Sequence, residues 1–141
     1  MDDGGLNMKL VYFAHPITHY NKVIEQRCLE IIEKEFDGED FEIFNPNVTW
    51  LDRIYSKRKD DKHSNPFEIF TEIVAICDVV VGVSFMDGEI GAGVFKELQK
   101  AYDNDKETYI ILGDMKMYPF SPGYEGLTVA ETKERIKGDV I

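Results

Sequence analysis

The sequence predicts a single α/β domain built on a doubly wound parallel sheet, with helices on both faces. Three observations support this fold class. Short apolar runs of β-forming residues alternate with segments of helical periodicity, an order typical of right-handed strand–helix–strand crossovers. Residues 78–84 are apolar between their two ends, as expected of a strand buried on both faces. At 141 residues the chain suits one core, so residues 1–141 are predicted to form one domain.

Four strands are predicted, each an apolar run that ends at turn-forming residues. They are Lys9–Ala14, Phe41–Phe44, 78–84 and 108–112. The carboxyl ends of parallel strands share one edge of the sheet, and ligands bind there in such folds. We therefore expect a site near Pro16, Pro46, residues 84–89 and the segment after Leu112.

Four helices are predicted from apolar periodicity and from capping residues. They run from Asn21 to about Phe36, from Asn65 to Cys77, over 93–102, and onward from Thr128. The second begins with Asn65 as cap, Pro66 at the first position and Glu68 three residues after the cap. The last begins with the capping box that Thr128 and Glu131 form.

The remaining segments are predicted to be irregular. Residues 1–7 are expected to be disordered, and residues 115–126 are expected to form a loop because they hold two prolines and two glycines. Residues 47–63 are interpreted as an irregular insertion and a candidate mobile lid. Within it, the basic run 57–62 is expected on the surface, with contact to a ligand phosphate as the alternative.

The composition argues against several classes of partner. A net charge of −11 disfavours binding to a nucleic-acid polymer or an anionic membrane, because their phosphates would be repelled. Cys28 and Cys77 lie in apolar stretches and provide neither a disulfide framework nor a zinc pattern. No apolar run has the length of a membrane span, and the acidic start is unlike a signal peptide. The sequence therefore predicts a cytoplasmic protein.

Glu97 is the first candidate for chemistry because its helical neighbours are unusual. The residues one turn away are small or apolar: Gly93, Val94 and Ala101. A carboxylate on such a face can meet a ligand without obstruction, and desolvation would raise its pKa and its reactivity. The structural alternative is a solvated surface glutamate.

Two further candidates lie on predicted strands. Asp78 begins the most apolar strand, where an aspartate ordinarily bonds backbone N–H groups at a helix-to-strand junction. Tyr12 lies within the first strand, where a tyrosine is usually a core aromatic whose hydroxyl is satisfied. Spacing alone favours these structural roles for both residues.

Glycines stand before the helix that carries Glu97, and glycines at a helix N-terminus let a phosphate or sugar approach the backbone. They are Gly88, Gly91 and Gly93. The spacing and the acidic partner of the dinucleotide-binding fingerprint are missing. Pro16 lies between His15 and His19, so the two histidines are not expected to share a helical face. No metal site is therefore predicted.

Three segments together resemble a known family. They are Val-Tyr-Phe-Ala-His-Pro at 11–16, Cys-Asp-Val-Val-Val-Gly-Val at 77–83, and Gly-Val-Phe-Lys-Glu-Leu-Gln-Lys-Ala at 93–101. In order and spacing they are similar to the first strand, the Asp-initiated central strand and the Gly-x-x-x-Glu-Leu-Gly-x-Ala helix of the nucleoside 2-deoxyribosyltransferase superfamily. That superfamily includes nucleotide N-glycosidases that act on deoxynucleoside or hydroxymethyl-pyrimidine monophosphates.

The resemblance implies a flavodoxin-like, Rossmann-like sheet and a set of roles. Glu97 falls on the family's nucleophile, Tyr12 on the tyrosine that contacts it, and Asp78 on the aspartate that helps to arrange the active site. The implied activity is cleavage of the N-glycosidic bond of a small-molecule nucleoside or nucleotide, by hydrolysis or base exchange, with no metal or organic cofactor. Family members are usually homo-oligomers with sites near subunit interfaces.

Substrate contacts are expected from the segments around these residues. Backbone amides would hold a sugar or phosphate, and Asp78 or an acid of the loop before the helix would protonate the departing base. The predicted binding residues are Ala14, His15, Pro16, Ile17, Asp87, Gly88, Glu89, Gly91 and Gly93.

The chain departs from the family's pattern at three positions. Gly91 stands where transferases carry an aspartate, which favours hydrolysis over base exchange, with Asp87 or Glu89 as candidate substitutes. His15 replaces a small residue after the first strand, and Gln99 replaces a glycine.

The alternative function is a non-catalytic module of the same fold that binds a nucleotide or a nucleotide-derived signal. An enzyme needs the Glu97 carboxylate close to a sugar carbon, whereas a sensor can hold it in a salt bridge with Lys96 or Lys100. A flavin-binding protein is disfavoured, because no Ser/Thr-rich phosphate loop follows the first strand.

Overall fold

The computed structural model describes residues 8–47 and 68–140. The strands are β1 (Lys9–Ala14), β2 (Phe41–Phe44), β3 (Val79–Val83), β4 (Glu107–Ile111) and β5 (Met117–Pro119). The helices are α1 (Val23–Glu35), α2 (Glu68–Ile76), α3 (Ala92–Asp103) and α4 (Val129–Val140), with a short 3-10 helix at Ile17–His19. The predictions for residues 1–7, for the cap at Asn65 and Pro66, and for nearly all of the insertion 47–63 lie outside the described residues.

The predicted α/β fold class is confirmed. The five strands form one sheet in the order β2-β1-β3-β4-β5, and the first four run parallel. In this register Tyr12 of β1 lies between Phe44 of β2 and Val80 of β3. The central position of β1 and β3 explains their continuous apolar sequences, because both faces of each strand are covered.

The prediction of a loop over residues 115–126 was wrong in part, because this segment contains β5. β5 pairs antiparallel with β4, with Ile110 opposite Tyr118, so the sheet is mostly rather than wholly parallel. A tight turn joins the two strands, in which Met115 has a positive φ and its N–H donates to the carbonyl of Leu112 at 2.9 Å. A strand of three residues is too short to produce a recognisable period-2 pattern, which is why the sequence did not reveal it.

Helices cover both faces of the sheet, as a doubly wound fold requires. Along β1, Tyr12 and Ala14 face one side while Val11 and Phe13 face the other. The first face packs against α2 and α3 through side chains that include Val74, Val94, Leu98 and Ala101. The second face packs against α1 through Cys28 and Ile32. None of the described helices is long and apolar enough to cross a membrane.

Helix α3 lies close to β3 because Gly82 has no side chain. A Cβ added at Gly82 would lie 2.6 Å from Cδ1 of Leu98, a contact too short for real carbon atoms. Leu98 is fully buried, so it cannot turn aside without moving the helix. Gly82 therefore sets the distance between the sheet and the helix that carries Glu97.

Gly82→Ala is expected to lower the free energy of unfolding by about 1–3 kcal/mol, because the added methyl overpacks the contact with Leu98. The matched control is Gly93→Ala on the exposed first turn of α3, where an added Cβ meets nothing within 4 Å. That change should raise stability by about 0.5–1 kcal/mol, since alanine is the better helix former. Urea denaturation of both variants checks the prediction, and equal effects of the two substitutions would contradict it.

Helix α4 lies across the carboxyl edge of the sheet. The predicted capping box that begins it is confirmed: Thr128 N donates to Glu131 Oε1 at 2.9 Å, and Glu131 N donates to Thr128 Oγ1 at 3.1 Å. The helix contacts the 3-10 helix that follows β1 and the first turn of α3. The last element of the chain thereby covers the edge at which α/β proteins bind ligands.

Candidate active site

Tyr12 and Glu97, which are 85 positions apart in the sequence, meet on the face of the sheet that α3 covers. Tyr12 is in the centre of β1 and is 1% exposed. Glu97 is on α3, directly before the buried Leu98, so its side chain lies beside the apolar face of the helix. Tyr12 lies close enough to the Glu97 carboxylate to lower its pKa. The fold thus brings together two of the three residues predicted to carry the chemistry.

The Glu97 carboxylate is shielded from solvent. The residue as a whole is partly exposed, but its Oε2 atom is buried and, within the described part of the chain, has no hydrogen-bond partner. Burial raises the pKa of Glu97 to about 7, although the Tyr12 hydrogen bond and the charge of Lys96 both act to lower it. A carboxylate of this kind is half ionised near neutral pH, and one of its oxygens has no hydrogen-bond partner among the described residues.

Tyr12 is held rigidly and stays protonated. Its ring stacks on Phe44 with centroids 5.8 Å apart and planes 11° apart. Burial, followed by the charge of Glu97, raises the pKa of its phenol. Its hydroxyl therefore keeps its proton beside the carboxylate, as a positioning group requires.

The salt bridge expected of Glu97 in a sensor can be compared with the described contacts. Among the described residues, neither Lys96 nor Lys100 forms a salt bridge with Glu97. The salt bridge that would suit a sensor is therefore missing in this part of the chain.

Asp78 lies at the opposite end of β3 from the carboxyl edge. Its Oδ2 accepts the N–H of Leu10 at 2.9 Å, and its own N–H donates to the carbonyl of Leu10 at the same distance. These contacts join the start of β3 to β1, the junction role that its sequence position indicates. A catalytic role for Asp78 stays a prediction, and no described contact joins it to Tyr12 or Glu97.

His15 turns away from Glu97. Its ring stacks on Phe13, with centroids 3.9 Å apart, and Phe13 belongs to the face that α1 covers. Its Nε2 lies 2.7 Å from Oε2 of Glu25, which also accepts from Asn47 at 3.0 Å. Burial lowers the pKa of His15. His15 therefore holds the ends of β1 and β2 together through Glu25.

The neighbours of His15 that were predicted to bind substrate lie at the end of β1. Ala14 is buried on the same face as Tyr12, and Pro16 is buried directly after the strand. The carbonyl of Pro16 accepts the N–H of His19 at 2.9 Å, which closes the 3-10 helix that begins at Ile17.

The loop between β3 and α3 is held by Arg135 of α4. Its Nη1 lies 2.5 Å from Asp87 Oδ2 and 3.6 Å from Glu89 Oε2, and its guanidinium lies 4.7 Å from the Phe85 ring centre. The hydrogen bond from Arg135 lowers the pKa of Asp87. Asp87 is thus held as a carboxylate, which makes it a poor proton donor for a departing base. Gly88 between the acids has a φ of 90°, a conformation that favours glycine.

The N-terminus of α3 is already occupied by a side chain. Gly91 is the N-cap, and the N–H of the next residue, Ala92, donates to Thr132 Oγ1 at 2.8 Å. A Cβ at Gly91 would lie 3.5 Å from Thr132. Backbone amides around Gly91 and Gly93 were expected to hold a phosphate. One of them, the N–H of Ala92, already donates to Thr132 of α4.

Sequence reasoning missed three residues that shape this region: Glu25, Thr132 and Arg135. Only Thr132 carried a local signal, because it follows the capping residue Thr128 by one helical turn. Glu25 and Arg135 are ordinary charged residues on amphipathic helices, and their partners are set by the tertiary fold alone.

No family model matches this chain, and neither does any curated protein or solved structure. Assignment to a family therefore depends on the three sequence motifs alone. Among the described residues, no group of three or more His, Cys, Asp or Glu side chains is arranged to hold a metal ion.

Proposed function

We propose that this protein cleaves the N-glycosidic bond of a nucleoside or nucleoside monophosphate, with Glu97 as the nucleophile. The observation that carries the proposal is the Glu97 carboxylate, which is buried, lies close to Tyr12 and has Oε2 without a partner among the described residues. Buried carboxylates with a raised pKa are concentrated at functional sites. The resemblance of three motifs to nucleoside 2-deoxyribosyltransferases supplies the reaction class.

The chemistry follows from the charge of the transition state. Oε2 of Glu97 attacks the anomeric carbon as the carbon–nitrogen bond breaks, and the bonding electron pair leaves with the base. The developing oxocarbenium ion is positively charged, so an adjacent carboxylate in a low-dielectric site stabilises it. Water or a second base then cleaves the glycosyl ester and frees the carboxylate.

The departing base needs a proton, and the contacts of the predicted acids limit which of them can donate it. Asp87 is held ionised by Arg135, and Asp78 bonds the β1 backbone at the far end of β3. Glu89, whose side chain is 54% exposed, and water remain as donors. The homo-oligomer and the absence of a cofactor that the resemblance implies are also part of this proposal, together with the cytoplasmic location that the composition predicts.

The proposal is tested by incubating the protein with a panel of nucleosides and nucleoside monophosphates and measuring free base by chromatography. We expect release from at least one member of the panel, and we expect acid-quenched protein to carry a glycosyl group on the peptide that contains Glu97. Where no base is released, addition of a second free base tests whether the protein catalyses base exchange instead. Binding of a panel member without release or exchange would instead support the nucleotide-sensing alternative.

Tyr12→Phe is expected to move the pH dependence of base release upward. The hydroxyl of Tyr12 lowers the pKa of Glu97, so its removal leaves less ionised nucleophile at pH 7 and lowers the rate there about fivefold for an upward shift of one pH unit. The measurement is kcat/KM from pH 5 to pH 9.

The matched control for Tyr12→Phe is Tyr118→Phe, which removes a phenol hydroxyl that bonds the exposed Asp114 in the β4–β5 hairpin. The control should keep the wild-type midpoint. An unmoved midpoint in Tyr12→Phe would remove Tyr12 from the mechanism.

A further inference from the structure

Helix α3 cannot cap its own N-terminus. Its N-cap is Gly91, which has no side chain, and no side-chain cap bond forms from that residue. The first N–H groups of a helix have no partner within the helix, so they need acceptors from elsewhere. In most helices Ser, Thr, Asp or Asn at the N-cap provides this acceptor.

Thr132 of α4 provides the missing acceptor from a different helix. Its Oγ1 accepts the N–H of Ala92 at 2.8 Å and donates its own proton to the carbonyl of Thr128 at 2.8 Å. Because that second bond fixes the hydroxyl proton, the oxygen lone pairs remain directed at α3. The orientation of the cap is therefore set within α4 itself.

The segment before Thr132 is tied to the same loop. Leu127 N donates to the carbonyl of Ile90 at 2.8 Å, and Ile90 forms a parallel bridge with Gly126. The capping box of Thr128 then fixes the start of α4 one turn before Thr132. The segment that precedes Thr132 is therefore fixed by hydrogen bonds to Ile90 and by the capping box, and these bonds place Thr132 beside the start of α3.

Glu97 is five residues after Ala92, which is about 7.5 Å along the helix axis. The sheet side of α3 is fixed by Leu98 against Gly82, so the cap at Ala92 is the second point that determines the position of the intervening turn. Among the described residues, the groups that act on the pKa of Glu97 are Tyr12 and Lys96, and neither is in α4.

We propose that Thr132 is a positioning residue of the Glu97 site: by capping α3 from α4, it holds the carboxylate against Tyr12 and out of solvent. The catalytic importance of Thr132 rests on the proposed function. Its effect on the position and pKa of Glu97 can be measured in the protein without substrate. Thr132 does not touch Glu97, so it acts through the first turn of α3.

The test is the titration of Glu97 by carbon-13 NMR in protein labelled at glutamate, with the Glu97 signal identified by its loss in Glu97→Gln. In Thr132→Val the first turn of α3 loosens and water reaches the carboxylate, so we expect the midpoint to fall by about one pH unit toward the ordinary carboxyl value. Thr132→Ser keeps the hydroxyl and should restore the wild-type midpoint.

Thr108→Val is the matched control, because it removes a threonine hydroxyl on β4 that, among the described residues, donates to the carbonyl of Lys106. It is expected to lower the melting temperature without moving the Glu97 midpoint. A wild-type midpoint in Thr132→Val overturns the proposal. So does failure of both Thr132→Val and Thr132→Ala to fold while Thr108→Val folds, because Thr132 would then support the whole domain. If the Glu97 midpoint shifts in Thr132→Val but the wild type releases no base, the positioning role of Thr132 is supported and the proposed glycosidase function is contradicted.

Discussion

Glu97→Gln is expected to reduce base release by at least about 10³-fold while leaving the fold intact. The substitution keeps the size of the side chain and its ability to accept from Tyr12, but an amide oxygen is a poor nucleophile. It also carries no negative charge to stabilise the oxocarbenium ion. The loss should therefore appear mainly in kcat, because substrate contacts to the loops at the strand ends are unchanged.

The matched control for this substitution is Glu33→Gln on the exposed side of α1, which packs on the other face of the sheet. It makes the same chemical change away from the site and should retain wild-type activity. Release of base by Glu97→Gln at more than a tenth of the wild-type rate would assign the nucleophile to another group or to water.

Glu97→Gln is also expected to become more stable than the wild type as the pH rises. The folded pKa of Glu97, about 7, is above the ordinary glutamate value of 4.5, so between these values the folded state binds more protons than the unfolded state. The stability of the wild type therefore falls through this window and levels off above about pH 7. At about 1.4 kcal/mol per pH unit, the difference between the two proteins should change by about 3 kcal/mol between pH 4 and pH 8.

This difference is obtained from urea denaturation at a series of pH values, without any substrate. All other titrating groups are shared by the two proteins, so the comparison isolates Glu97. Glu33→Gln should differ from the wild type by the same amount at every pH. A constant difference for Glu97→Gln as well would mean that its carboxylate is solvated, which is the ordinary surface role of a helical glutamate.

The two results separate the structural claim from the functional one. A pH-dependent stability difference without base release would show that Glu97 is buried but not a nucleophile, and it would favour a binding role. Base release without the stability difference would place the nucleophile in a more open site, where a substrate rather than the protein excludes water.

Much of the fold was predictable because its signals are local. The apolar runs of β1 and β3 and the capping box of Thr128 depend on residues within a few positions of one another, and all three lie where the sequence predicts them. β5 was missed because three residues carry no periodic signal and because its stability comes from pairing with β4.

The candidate site was less predictable, because it depends on the face of the sheet on which each side chain lies. Helical spacing around Glu97 indicated an unusual position, but only the packing of α3 on β1 brings the carboxylate to Tyr12. His15 was expected at the same site and instead faces α1, because side chains alternate along β1 and its ring stacks on Phe13.

The sequence by itself determined the class of the domain, the order of its helices and the main strands, and the unusual apolar surroundings of Glu97 on its helix. Only the tertiary structure decided which polar groups meet. It paired Tyr12 with Glu97, placed Asp78 at the opposite end of β3, and brought Thr132 to the uncapped start of α3. The physical reason is that periodicity is a property of neighbouring residues, whereas burial, pKa and hydrogen-bond partners depend on groups that are distant in the chain.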